Sequence, residues 1–338
     1  MAKNYRNAIK VYDYTGPLAE LIRNHVNEKR RIGYKFNGEA SLLRQLDHFA
    51  EKHNCPINCL PRDLVMLWNE KQPTHSPKTH QTRWSAIRQL AEYMVRHGYE
   101  AYIPASIGSK ICEHGTFAPY IFSNDEVRSF LQQADSIPQE NHSPYQHLFY
   151  PLLFRILYSC GLRLNEALSL KVQDVDLENG VLKIFGTKFD KDRLVPMSES
   201  LTRRCRDFME VRHNLSNPDM LFFPAPDGSV YSHGTIYAKY RKVLKNAGIS
   251  YGGRGKGPRI HDFRHTFAVH CLRKLMRDNI DIENALLYLS TYMGHVNVSG
   301  THTYMKLTAE LFPDIIAKVE AFAGNVIPRL EVSNYEGY

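Results

Sequence analysis

Four polar side chains in the last quarter of the sequence have the residue types that a phosphate-binding site needs. They are His261, Arg264, His295 and Tyr304. His261 and Arg264 are three residues apart, so they would share one face of a helical turn. We expect them at the N-terminus of a helix capped by Asp262, where free backbone N–H groups also favour an anion. His295 follows Gly294, which we expect to end another helix in the left-handed conformation.

Tyr304 has the chemistry of a covalent nucleophile, provided that its surroundings activate it. A phenol has a pKa of about 10, so at neutral pH it must lose its proton to a base or be stabilised by cations. A phosphodiester gains negative charge in its transition state, and arginine neutralises that charge through paired hydrogen bonds. The stretch has no carboxylate cluster for a metal, and we predict neither a metal nor a cofactor. Phosphoryl transfer onto tyrosine is the reaction that fits.

A second arginine, Arg163, lies in the stretch CGLRLNE between Cys160 and Glu166. Glu166 follows Arg163 by three residues and would hold its guanidinium in place if both lie on one helical turn. The apolar residues on either side predict that the pair is partly buried. An ordinary surface ion pair is the alternative.

A lysine, Lys188, falls in the turn between two predicted strands at 181–185 and 193–197. The strand pattern follows Asn179-Gly180, a typical hairpin turn. A lysine in a turn is usually only solvated, and Lys191 in the same turn is an alternative to Lys188.

These motifs, in this order, resemble those of the tyrosine recombinase (phage integrase) family. The family pattern is G-L-R-x-x-E, a hairpin lysine, H-x-x-R, G-H and then a tyrosine nine residues on, and it covers most of residues 123–323. The resemblance implies a mainly α fold with a small antiparallel β-sheet. It also implies an N-terminal four-helix (SAM-like) DNA-binding domain and an α+β catalytic domain. Cys160 and Met293 depart from the usual residues before G-L-R and G-H, but neither carries chemistry.

The resemblance assigns a role to each of six residues, namely Arg163, Lys188, His261, Arg264, His295 and Tyr304. Tyrosine attacks the scissile phosphate and forms a 3′-phosphotyrosyl link, which releases a 5′-hydroxyl. The two arginines and His295 hold the phosphoryl oxygens. Lys188 protonates the leaving oxygen, and His261 assists proton transfer at the tyrosine. The implied partners are double-stranded DNA with paired recombination sites and other copies of the chain, four of them in the synapse.

Two other functions use similar chemistry or the same fold. A type IB topoisomerase relaxes supercoils as a monomer, and a DNA-binding regulator could keep the fold without the reaction.

Tyr288 and Tyr292 compete with Tyr304 as nucleophile, but both fall within a helical apolar pattern that predicts core or rim positions. The sequence leaves open the DNA target, and whether integration, excision, transposition or dimer resolution is the biological role.

Composition is compatible with a nucleic-acid partner. The 338 residues carry a net charge of +8, and the excess lies mainly in residues 1–103, with sixteen Lys and Arg against ten Asp and Glu. No stretch has the length and apolarity of a membrane span or signal peptide, so we expect a cytoplasmic protein, associated with the nucleoid when bound to DNA.

His261 and His265 form H-x-x-x-H, but no third ligand lies nearby in the sequence, so a zinc site is less favoured than a phosphate site.

The pattern divides the chain into a helical DNA-binding domain at 1–105, a linker at 106–122, a catalytic domain at 123–325 and a tail at 326–338. Four amphipathic helices are predicted in the first domain, at 17–32, at 39–53, from Pro61 and from Ser76. In the second domain, Ser123 begins a capping box. Helices are predicted there at 124–134, 145–159, 199–213 and 233–246.

Basic residues on two segments are candidate DNA contacts. One segment is the fourth helix, and the other lies between Asp227 and Asp262, which holds seven Lys and Arg and no acidic residue. The candidates are Arg83, Arg88, Lys239, Arg241, Arg254 and Lys256. A solvated basic face is the alternative for each segment. Tyrosines and glycines interleaved with the second segment favour contact with the phosphate backbone.

A last helix is predicted at 309–323, after the tyrosine, with a wide apolar stripe. A short helix of this kind must bury its stripe on something. It packs either on its own domain or on the next protomer of a head-to-tail ring.

Overall fold

The computed structural model describes residues 9–70, 75–106, 119–185, 192–212, 217–253, 257–294 and 304. These residues form two compact units, one ending at Ser106 and the other beginning at Pro119. The described residues are mostly helical, with one three-stranded antiparallel sheet. The predicted mainly α fold with a small antiparallel sheet is therefore confirmed. Among the helices described, none combines the length and apolarity that a membrane crossing requires.

The first unit contains four helices: α1 (Ala19–Arg31), α2 (Asn37–Lys52), α3 (Arg62–Trp68) and α4 (Pro77–Arg96). Their bounds lie within two residues of those predicted. The Ser76 side chain accepts a hydrogen bond from the backbone of Thr79, and Pro77 occupies the first turn, as predicted for α4. Apolar residues from all four helices form one core; among the most buried are Leu21, Ile22, Leu43, Leu46, Val65, Leu90 and Met94.

The start of α1 is held by a carboxylate from α2. Asp47 is fully buried and accepts hydrogen bonds from the backbone N–H groups of Gly16 (2.8 Å) and Leu18 (3.0 Å). A Cβ on Gly16 would lie 2.6 Å from the Asp47 carbonyl oxygen, so only glycine allows this approach. Sequence pattern did not predict this contact, because the carboxylate comes from a residue distant in the chain.

The second unit surrounds an aromatic core. Its elements are α5 (Asn124–Asp135), α6 (Gln146–Ser159), α7 (Leu164–Ser169), β1 (Val175–Asp176), β2 (Val181–Ile184), β3 (Arg193–Pro196), α8 (Glu199–Arg212), α9 (His233–Asn246), α10 (Asp262–Arg277) and α11 (Ile282–Met293). Phe263 of α10 is fully buried and stacks on Phe122, with ring centroids 5.0 Å apart. It also meets Phe130 of α5 edge-on at 5.0 Å. These contacts fix the first turn of α10 in the core.

The sheet has the strand order β1-β2-β3, and every pairing is antiparallel. In the β2–β3 pair, Val181 lies opposite Pro196 and Ile184 lies opposite Arg193. The two predicted strands are confirmed, and the short β1 was not predicted. The capping box is also confirmed, because Ser123 and Glu126 exchange side-chain-to-backbone hydrogen bonds at the start of α5.

The predicted cap of α10 is wrong. His261 is the N-cap residue, without a side-chain capping bond, and Asp262 is the first residue of the helix. The buried Asp262 carboxylate instead accepts hydrogen bonds from the Arg259 backbone N–H (2.8 Å) and guanidinium (3.1 Å). Most of the predicted linker, the helix at 309–323 and the tail lie outside the described residues.

His25 of α1 is a buried histidine in the core of the first unit. Its side chain is 1% exposed, lies between the rings of Phe36 and Tyr93, and has no hydrogen-bond partner within the described residues for either ring nitrogen. Burial, followed by the charge of Lys29, lowers the pKa of His25 to about 4. Neutral His25 therefore contributes stability that is present above the ordinary pKa of about 6.5 and is lost as the pH falls toward 4.

We predict that His25→Leu removes a pH-dependent loss of stability in the first unit. Between pH 7 and pH 5 the wild type should lose about 2 kcal/mol more than the variant, because only the unfolded wild type takes up this proton. Urea unfolding followed by tryptophan fluorescence is the measurement, since Trp68 and Trp84, both in this unit, are the chain's two tryptophans. The exposed His48 supplies the control His48→Leu, which should behave as wild type. Equal pH dependence in wild type and His25→Leu would contradict the assignment.

Candidate active site

Arg264 lies in the first turn of α10 and connects three of the sequence motifs. Its side chain is 2% exposed. One Nη atom donates to the carbonyl oxygen of Gly161 (2.6 Å) and the other to that of Met293 (2.5 Å). Burial, and then the positive charge of Arg163, lowers the pKa of Arg264 to about 10, so it remains protonated at neutral pH. The arginine thus brings the G-L-R segment and the end of α11 to the N-terminus of α10.

Arg163 is the N-cap residue of α7, and its side chain is 35% exposed. Its Nη1 donates to Glu166 Oε1 (2.7 Å), while its backbone N–H donates to Oε2 (2.9 Å). The predicted Arg163–Glu166 contact is therefore confirmed. A guanidinium has five donor hydrogens, so this pairing leaves most of them for other acceptors.

Arg193, the first residue of β3, was not among the predicted site residues. Its side chain is 9% exposed, and its two Nη atoms donate to Glu166 at 2.8 and 3.3 Å. Burial alone would raise the pKa of Glu166, but Arg193 and Arg163 together lower it to about 2. Glu166 is therefore an ionised carboxylate shared by two arginines. The one sequence signal for Arg193 was its position at the start of the predicted strand that follows the turn of Lys188.

Two glycines with positive φ allow the close approach of these segments. Gly161 has φ +58, and a Cβ there would lie 2.5 Å from the ring of Phe267. Gly294 ends α11 in the left-handed conformation at φ 65 and ψ 46, as predicted. A Cβ on Gly294 would lie 3.4 Å from the Arg193 side chain.

Tyr304 lies against α10 and α11. Its side chain is 4% exposed and packs in an apolar cluster with residues that include Ala268, Leu289 and Met293. Burial raises the pKa of Tyr304, while the charges of Arg264 and Arg163 act in the opposite direction. The phenol is therefore protonated at neutral pH, and the two arginines are the cations that favour its ionised form.

His261 and His265 extend from the arginines toward the tyrosine. The His261 ring meets the His265 ring at 4.8 Å, and the His265 ring lies 5.7 Å from that of Tyr304. His261 is exposed at the edge of the site, yet desolvation and then its neighbours His265, Arg264 and Arg163 lower its pKa. His261 is therefore neutral at pH 7 and able to accept a proton. Within the described ranges, no three His, Cys, Asp or Glu side chains are grouped to hold a metal.

The structure thus brings together four of the six predicted site residues, Arg163, His261, Arg264 and Tyr304. Lys188 and His295 lie outside the described residues.

Tyr292, one competing tyrosine, stacks on Phe267 with ring centroids 5.3 Å apart, and burial raises its pKa. Tyr288 is 60% exposed, which places it on the rim of the domain.

Four of the six candidate DNA contacts are described. Arg83 stacks 3.8 Å above the Trp68 ring and donates to the Trp68 carbonyl (2.9 Å). Arg88 donates to the Pro104 carbonyl (2.5 Å) and pairs with Glu92 (2.8 Å). In the second unit, Lys239 donates to Gln146 (2.8 Å) and lies over Tyr150, and Arg241 lies over Tyr251. Arg254 and Lys256 fall outside the described ranges.

Fold and site together define the class of a tyrosine recombinase, and sequence comparison agrees. A sequence model of the phage integrase family matches residues 121–310. The putative integrase/recombinase y4rB of Sinorhizobium fredii is 29% identical, over 89% of this chain and 96% of its own length. Tyrosine recombinase XerD of Pseudomonas putida is 27% identical, over 82% of this chain and 87% of its own length.

Solved structures show the same fold. The Tn1549 transposon integrase in complex with circular intermediate DNA aligns with a TM-score of 0.62 and 17% identity, covering 86% of this chain and 95% of that one. XerH bound to its difH substrate after cleavage aligns with a TM-score of 0.61 and 21% identity, covering 82% and 77%. The chain belongs to the phage integrase family. The predicted class of enzyme, a recombinase that cuts and rejoins DNA, is confirmed with it.

We predict that Gly161→Ala destabilises the second unit by more than its backbone strain alone. A non-glycine residue at positive φ costs about 1–2 kcal/mol, and the new Cβ would also overlap the Phe267 ring. Gly248→Ala is the matched control, because Gly248 has φ +72 but nothing within 4 Å of the added Cβ. Calorimetric unfolding should show the larger loss for Gly161→Ala. Equal losses in the two variants would contradict the close packing of Phe267 on Gly161.

Proposed function

We propose that this protein is a site-specific recombinase that cuts double-stranded DNA with Tyr304 and holds the cut end as a 3′-phosphotyrosine. The observation that supports this proposal is that Tyr304 packs in one cluster with Met293, whose carbonyl oxygen accepts a hydrogen bond from Arg264. The same guanidinium binds Gly161, two residues before Arg163. A phosphodiester between these groups would have its oxygens neutralised as charge develops in the transition state. The phosphotyrosine conserves the energy of the broken bond, so attack by a 5′-hydroxyl rejoins the strand.

The remaining roles follow from the chemistry of each group. Arg163 and Arg264 bind the non-bridging oxygens together with His295. Neutral His261 accepts the tyrosine proton. Its lowered pKa leaves the ring unprotonated at neutral pH but makes it a weak base, and the negative charge of a bound phosphate would raise that pKa. Lys188 protonates the 5′-oxygen as it leaves. Neither metal nor nucleotide takes part in these steps.

The first unit is proposed to be the SAM-like, four-helix DNA-binding domain, at 1–105. Residues 106–122 then link it to the catalytic domain at 123–325, which a tail at 326–338 follows. Support comes from the relatives: the solved XerH and Tn1549 integrase structures hold DNA, and a λ integrase fragment is bound to its core site as a dimer. For this chain we propose four protomers on paired sites, with the helix at 309–323 docking on the neighbour. Because the substrate is DNA, we place the protein in the cytoplasm and, when bound, in the nucleoid.

We propose one role for both candidate DNA contacts on α4, because neighbouring groups fix both side chains. Arg83 is stacked on Trp68, and burial lowers its pKa, so we propose that it adds positive potential rather than a flexible phosphate contact. Arg88 is fixed by Pro104 and Glu92, and we propose the same role for it. In the second unit, Lys239, Arg241, Arg254 and Lys256 are proposed to contact the phosphate backbone, since no acidic residue interrupts the stretch that holds them.

We predict that Tyr304→Phe abolishes covalent attachment to DNA while DNA binding persists, because the change removes one oxygen and keeps the ring. The substrate is a duplex selected by the wild type from a random-sequence library, nicked beside the cleavage site so that the covalent complex is trapped. Denaturing gel electrophoresis measures the complex. Tyr292→Phe is the control and should retain it. A covalent complex with Tyr304→Phe would show that another residue is the nucleophile.

We predict that Lys188→Ala cleaves normal DNA slowly but cleaves DNA with sulfur at the 5′ bridging position at nearly the wild-type rate. A thiolate leaves without a proton, so the general acid becomes unnecessary. Arg264→Ala should stay about a hundredfold or more slower on both substrates, because its role is charge stabilisation. Single-turnover cleavage rates provide the measurement, with Lys191→Ala as the control in the same turn. If sulfur rescues Lys191→Ala instead, Lys191 is the acid.

A further inference from the structure

Glu166 creates an electrostatic problem for the reaction. It lies next to Arg163, and an ionised carboxylate at 2.7 Å reduces the positive charge that Arg163 offers to a phosphate. Glu166 is 8% exposed, so little solvent screens this effect. A lone Arg163–Glu166 pair would have no net charge at the place where negative charge develops.

Arg193 changes that balance. It is more buried than Arg163, and both of its Nη atoms donate to Glu166, at 2.8 and 3.3 Å. Arg163 donates through a single Nη atom. The three side chains therefore carry one net positive charge. Two Nη atoms of the buried Arg193 engage the carboxylate, while the half-buried Arg163 uses only one of its own.

Arg193 is also confined in position. Its Cδ and Nη1 lie 3.4 Å from where a Cβ of Gly294 would be, so the side chain fits between Glu166 and the end of α11. Its Nε is buried and has no hydrogen-bond partner within the described part of the chain. A buried donor without a partner is unfavourable, which indicates that the ion pair with Glu166 and the packing on Gly294 determine where this side chain lies.

We propose that Arg193 is a positioning residue for DNA cleavage, which holds and neutralises Glu166 so that Arg163 keeps its charge and its donors for the scissile phosphate. The proposal rests on the function proposed above. Glu166 then orients Arg163 without cancelling it. Arg193 itself touches neither the phosphate nor the tyrosine in this scheme.

The test is a double-variant cycle on single-turnover cleavage of the selected duplex with enzyme in excess, so that each rate refers to bound, folded enzyme. Arg193→Met should slow cleavage at least tenfold, because Glu166 then pairs with Arg163 alone. Adding Glu166→Gln should recover most of that loss, since the uncompensated charge is removed. Arg193→Lys should retain most activity. Arg155→Met, which breaks a comparable ion pair with Asp135 elsewhere in the unit, is the control and should leave the rate unchanged.

DNA with sulfur at the 5′ bridging position separates this role of Arg193, which concerns charge at the phosphate, from a role in positioning Lys188. If Arg193 acted only by anchoring the strand that follows Lys188, bridging sulfur would restore cleavage by Arg193→Met. We expect no restoration, since the loss lies in charge at the phosphate. Rescue by sulfur, failure of Glu166→Gln to rescue, or a wild-type rate for Arg193→Met would each overturn the proposal while wild type remains active. A wild type without covalent complex on either substrate would overturn the proposed function as well.

Discussion

The buried guanidinium of Arg264 holds together the parts of the chain that form the site. Its two hydrogen bonds reach the carbonyl oxygens of Gly161 and Met293, which come from segments far apart in sequence. Gly161 precedes the Arg163 turn, and Met293 precedes Gly294 and the G-H motif. Phe263, its neighbour on α10, anchors the same turn in the aromatic core. The site therefore depends on one charged side chain that also serves as a structural crosslink.

This arrangement places several positive charges close together. Burial lowers the pKa of Arg264 most, the charges of Arg163 and Arg193 lower it further, and the carboxylate of Glu166 acts in the opposite direction. Such a cluster is unfavourable for folding, because buried like charges repel each other and lose hydration. In the proposed reaction a DNA phosphate supplies the opposite charge, so binding and transition-state stabilisation would use the same electrostatic imbalance. The phenol of Tyr304 is protonated and packed among apolar side chains.

Local signals predicted much of the fold. Helical periodicity and capping residues predicted the helices of the first unit and the capping box at Ser123. The alternating strand pattern predicted β2 and β3, and spacing predicted the Arg163–Glu166 contact. All of these depend on residues close together in the chain, where geometry follows from the period of a helix or strand.

Contacts between distant residues were not predictable in this way. Asp47 holds the start of α1 from another helix, and Arg193 reaches Glu166 from the sheet. Asp262 looked like a cap, but its carboxylate bonds to Arg259. Arg83 was predicted as a candidate DNA contact, with a solvated basic face as the alternative, and its side chain stacks on Trp68. For Asp47, Arg193 and Arg83 the partner is set by tertiary packing, which composition and periodicity do not encode. Arg259 lies only three residues before Asp262, so that error concerns the choice between two local partners.

Mass spectrometry of the trapped complex shows directly whether Tyr304 becomes covalently joined to DNA. Trypsin should release one peptide from Asp278 to Lys306, which contains Tyr288, Tyr292 and Tyr304. After nuclease digestion, fragmentation of that peptide locates the remaining nucleotide. We expect a nucleotide joined through its 3′-phosphate to Tyr304 alone. A nucleotide on Tyr288, on Tyr292 or on any other peptide, or a link through a 5′-phosphate, would contradict it.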